Sequence, residues 1–110
     1  MIETTIGEIE AKIRGAEAIS EQRKRELLQL LGTLKTEVTK LSRTDDEQAQ
    51  SIAGFAQLSA HEATREKQNP KSLEHSLAGL QSSVEGFEQS HPQLVQIVDR
   101  ICNTLSNLGI

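Results

Sequence analysis

The chain has neither tryptophan nor tyrosine and only two phenylalanines among its 110 residues, so it offers no aromatic platform on which the bases of a single strand could stack. It has a single cysteine, Cys102, which excludes an intramolecular disulfide and cannot by itself build a structural zinc site. Excess positive charge is missing too. Sixteen acidic and twelve basic residues give a net charge of −4, and they are mixed along the chain, which argues against binding to a phosphate backbone. The basic run Arg23-Lys24-Arg25 lies between Glu21 and Glu26 and reads as a solvated helix face. The basic residues of that segment gather at its start and do not line one polar face, which disfavours peripheral membrane binding.

No window approaches the roughly 18 consecutive apolar residues that a membrane span needs. The first residues show neither a basic n-region nor an apolar h-region. A cytoplasmic location is expected, with neither nucleic acid nor membrane as a direct partner.

What the chain does have is branched aliphatic residues at helical spacing, which predicts an all-α fold. Ile2, Ile6, Ile9 and Ile13 line one face of a first helix ending at Gly15. Ser20 can cap a second helix, with Leu27, Leu31, Leu34, Val38 and Leu41 inward and Leu28 and Leu30 widening the stripe. The phase breaks between Gly15 and Ile19, so residues 1–43 read as a helical hairpin.

Thr44-Asp45-Asp46-Glu47 opens a third, alanine-rich helix carrying Ala49, Ile52, Ala53, Phe55, Ala56, Leu58, Ala60 and Ala63. Alanine buries little area, and the chain turns polar from His61 to Asn69. Residues 44–69 are therefore expected to be the weakest part, fraying toward Asn69. Asn69-Pro70 signals a new helix, and residues 70–110 read as a kinked helix pair.

In that pair Leu73, Leu77, Leu80, Val84 and Phe87 keep the four-three alternation, which resumes with Leu94, Val98, Ile101, Leu105 and Leu108. The register crosses His91 itself. Pro92 removes a backbone donor and clashes with the carbonyl of Glu88, a penalty of about 3 kcal/mol in a straight helix. An elbow at Ser90, His91 and Pro92 follows, helped by the capping-box spacing of Ser90 and Gln93. The last helix carries apolar flanks (Val95, Ile97, Cys102) and should be buried on more sides than the fourth. Gly109 suits a left-handed cap with Ile110 folding back on Leu105. Gly7, Gly32, Gly54, Gly79 and Gly86 fall inside expected helices; Gly79 and Gly86, seven apart, share a face, which reads either as the place where another helix crosses closely or as tolerated flexibility.

Few residues suggest chemistry. Glu88-x-x-His91, with Glu85 one turn earlier, has the spacing of half a di-iron carboxylate motif, but no second Glu-x-x-His exists. His61-Glu62 lacks the second histidine of a zinc protease, and no phosphate-cradling loop or nucleophile elbow occurs. Cys102 adjoins the apolar face and reads as a buried, inert thiol. No catalytic residue and no cofactor are expected.

The segment from Ser83 onward, with Phe87, Glu88, His91, Pro92, Leu94, Leu105, Leu108, Gly109 and Ile110, resembles the end of an uncharacterised bacterial family of short helical proteins, a domain of unknown function. The resemblance implies a small all-helical protein and carries no activity with it. Together these features predict one domain, an antiparallel bundle or elongated coiled-coil hairpin of four to five helices. Its expected role is a non-catalytic interaction or structural module that pairs with itself, a dimer first of all, or with another helical protein. The stripe Leu73, Leu77, Leu80, Val84 and Phe87 is the expected interface. A metal-binding or redox bundle using Glu85, Glu88 and His91 is the alternative.

Overall fold

In the computed structural model, which describes residues 2–108, the isoleucine spacing builds α1 (Ile2–Gly15), with Ile2, Ile6, Ile9 and Ile13 all buried. A turn closed by the Ile19 N–H on the Ala16 carbonyl follows. Ser20 then caps α2 (Glu21–Ser42), its Oγ accepting the Arg23 N–H at 3.2 Å. Leu27, Leu31, Leu34, Val38 and Leu41 point into the core, and Leu28 and Leu30 pack at its margin.

Asp45 caps α3 (Asp46–Thr64) by accepting the Gln48 N–H at 3.1 Å. Asn69 Oδ1 accepts the N–H groups of both Lys71 and Ser72 at 3.1 Å to start α4 (Pro70–Ser82). Pro70 takes the first turn, where its missing donor is harmless. The last helix is α5 (Pro92–Leu108).

Contacts between helices arrange them in two layers. One layer is α1, α3 and α4 side by side, with α3 in the middle; α2 and α5 form the other, α2 under α1 and α3, α5 under α3 and α4. Direction follows from the cross-helix pairs. Gln57 meets Glu8 and His61 meets Lys12, so α1 and α3 run the same way. Gln48 reaches the carbonyl of Ser83, and Glu26 meets Thr104, so α4 opposes α3 and α5 opposes α2. The result is an antiparallel bundle of 37 × 24 × 21 Å and not an elongated hairpin. Its radius of gyration, 12.9 Å, sits near the about 13 Å expected of a compact chain of this length.

Four expectations need correction. The alanine-rich α3 is no fraying appendage. Among the described residues it alone packs against all four other helices, because Ala49, Ala53, Ala56, Ala60 and Ala63 let neighbours approach closely from several sides. It stops cleanly at Thr64, where Arg65 turns extended and Gln68 Nε2 donates to the Ala63 carbonyl at 2.7 Å.

Helix α4 does not reach Phe87 either. It ends at Ser82, and residues 83–91 form a turn-rich connection in which Gly86 adopts a φ of +93°. That left-handed conformation suits glycine and resists side chains, so Gly86 marks a turn and not a helix crossing. The sharp elbow at Ser90, His91 and Pro92 is thus the end of a longer loop, and Pro92 sits at the first position of α5. The terminal cap assigned to Gly109 and Ile110 lies outside the described residues. Breadth of burial follows the expectation for α5, which buries seven residues where α4 buries four.

Candidate functional site

The stripe expected to be free for a partner is consumed by the fold. Leu73, Leu77, Leu80 and Val84 are all buried in the core, and Phe87 packs against its edge. Ser76 and Ser83 are buried with them, each donating its hydroxyl to a carbonyl three residues back, Leu73 at 2.8 Å and Leu80 at 2.6 Å. What covers this stripe is mainly α3 and α5 of the same chain.

The loop between α4 and α5 gathers the three candidate metal ligands without focusing them. Because residues 85–91 are not helical, the spacing of Glu88 and His91 no longer puts them on one helix face. Glu88 Oε1 accepts the Gly86 N–H at 3.0 Å and steadies the turn. His91 stands edge-on to Phe87, with ring centroids 5.8 Å apart, and its Nδ1 lies 3.1 Å from Ser90 Oγ. Glu85 faces solvent. Among the described residues no three His, Cys, Asp or Glu side chains are grouped as a metal ion requires.

Cys102 lies between α5 and α4, its thiol 3.8 Å from the Leu77 carbonyl. Burial, and secondarily the charge of Asp99, push its pKa from 9.0 to about 12. The thiolate that a nucleophile or metal ligand needs is therefore suppressed. Above it runs an open groove of about 380 Å³, with Leu73 and Leu77 on one wall and Asn103 and Ser106 on the other.

A different surface stands out once the core is complete. Phe55 and Leu58, both on α3, remain 38% and 47% exposed, the large hydrophobics left outside. The inward face of α3 is set by Ala49, Ile52, Ala56, Ser59 and Ala63. Phe55 and Leu58 both fall outside that four-three progression, Leu58 on the far side of the helix and Phe55 on its flank toward α4. Their off-register position was the signal in the sequence. Treating the whole Ala-Ile-Phe-Leu run as one inward stripe hides it.

The ring of Phe55 lies on Gly79 of α4, where an added Cβ would come within 2.6 Å of it. Gly79 thus marks a close crossing, as its sequence position suggested. Gly54, by contrast, has nothing within 4 Å of where a Cβ would stand. It borders a shallow depression of about 350 Å³ shared with Lys12, Gln57, Leu58 and His61. Lys12 Nζ lies 3.4 Å from His61 Nδ1, and Gln57 donates to Glu8, so side chains from α1 brace this rim. Chemically the face has two apolar side chains, an open glycine and a polar frame. That arrangement can pack against another helix.

Residues 27–110 match the model of a family described as a domain of unknown function, DUF4404. No curated protein and no solved structure matches the chain.

Proposed function

The chain belongs to this family of unknown function, matched from within α2 to its last residue, and from the geometry above we propose that it is a non-catalytic helical interaction module that associates with itself. One observation carries the reading: Phe55 and Leu58 stay exposed together on the middle helix while the other large apolar side chains described are buried or partly buried. Full burial of such a side chain from water contributes about 1.5–3 kcal/mol, and covering the 38% and 47% still exposed would add the corresponding share of it. The three histidines stand on separate elements, α3, α4 and the loop before α5, and the one thiol is held protonated, which suits a reducing cytoplasm. No helix among the described residues is long and apolar enough to cross a membrane.

Sedimentation equilibrium of the full chain is the test. A dimer is expected within the micromolar range, and Leu58→Glu should return the protein to monomer without altering its helix content. A chain that stays monomeric at high micromolar concentration sinks the reading.

A further inference from the structure

The exposed side of α3 follows its own spacing. Glu47, Ser51, Gly54, Leu58 and His61 step by four, three, four and three along α3, Arg65 follows four residues on at its C-terminal cap, and all six are exposed. That spacing lines the six up as one polar seam around Leu58 and Gly54, on a face of the helix that points away from the core. When two copies of such a seam run antiparallel about the level of Ala56, its positions meet in fixed pairs. Glu47 faces Arg65 of the second copy, Ser51 faces His61, and Gly54 faces Leu58. Charge therefore complements charge at both ends, and the large apolar side chain meets the glycine that has open space above it. A parallel pairing would set Glu47 on Glu47 and Arg65 on Arg65.

We infer that α3 is the dimer interface of this protein, pairing antiparallel with α3 of a second copy so that Leu58 of each enters the depression over Gly54 of the other. The inference rests on the self-association proposed above and specifies its face and direction. A leucine side chain suits the depression beside Gly54, which Lys12 and Gln57 line and in which nothing lies within 4 Å of where a Gly54 Cβ would stand. Acidic Asp45 and Asp46 at the start of α3 reinforce the end where Arg65 arrives, and antiparallel packing also sets opposite helix-dipole ends together. Arg65 keeps its intrachain bridge to Glu62 at 2.9 Å, yet its side chain is 38% exposed and reachable from outside.

The experiment is a charge exchange on the full chain. Glu47→Arg and Arg65→Glu are prepared separately, and their association is measured by sedimentation equilibrium alone and as an equimolar mixture. Each variant alone places like charges at both ends of the seam, and its dimer should weaken about tenfold. In the mixture the reversed charges meet opposite partners, so a heterodimer of near wild-type strength is expected. A structural effect within one chain would not be rescued by mixing.

If Arg65→Glu proves too unstable through loss of its bridge to Glu62, Glu47→Arg and the exposed Leu58→Glu still report on the face. Association unchanged in both would overturn the inference, as would a mixture no stronger than its components, while the proposed self-association would stand. A monomeric wild-type chain would remove both.

Discussion

At the scale of single residues, two buried polar groups illustrate different uses of burial. Ser59 sits at 0% exposure on the inward face of α3, and its hydroxyl finds no hydrogen-bond partner. An unpaired buried hydroxyl costs about 1–3 kcal/mol, so Ser59→Ala is expected to stabilise the protein by about 1 kcal/mol in urea unfolding. A lower midpoint for the variant would mean that the hydroxyl is paired after all.

Cys102 predicts an alkaline signature. Its folded pKa is raised from 9.0 to about 12, so the stabilisation from keeping the thiol neutral is complete below pH 9. It is lost as pH rises toward about 12, because the unfolded chain ionises first. Comparing urea midpoints at pH 8 and pH 11, Cys102→Val should lose less stability than the parent. Equal losses would show that the thiol does not feel its surroundings in this way. Cys102 was legible in the sequence as an inert thiol, whereas Ser59, one polar position among the apolar ones of α3, was passed over there. Only packing decides whether a partner reaches them.

At the scale of the elements, caps were the most legible feature. Ser20, Asp45 from the expected cluster Thr44 to Glu47, and Asn69 accept backbone N–H groups at the helix starts, because capping depends on residues within one turn. The end of α4 was not legible. The four-three spacing runs on through Val84 and Phe87, yet the helix stops at Ser82, since Val84 can reach the core from a turn as well as from a helix.

Gly86 makes that turn possible, and it sets up a paired prediction. Gly86→Ala, at a φ of +93°, should destabilise the protein by about 1–2 kcal/mol. Gly32→Ala, in α2 with nothing within 4 Å of the added carbon, should stabilise it by about 1 kcal/mol. Urea unfolding of the two variants checks the contrast, and a shift of the same sign in both would contradict it. The histidine and glutamates of the 83–91 loop depend on the same geometry. Once that segment leaves the helix, their sequence spacing stops describing their distance.

At the scale of the whole molecule, the sequence by itself determined that the chain is all-helical, where most of its helices begin, and which aliphatic stripes are buried. Those properties follow from residue spacing at 3.6 per turn and from local capping, neither of which needs a partner far along the chain. The tertiary structure alone decided the assignment of neighbours. A stripe such as Leu73 to Val84 reads identically whether it meets another helix of the same chain or of a second copy. Here α3 and α5 cover it, which moved the available surface to the far side of α3. The role of α3 was misread for the same reason. Alanine signals weakness when burial is counted one residue at a time, but small side chains are what allow four helices to close around a fifth, and that advantage exists only once the others are in place.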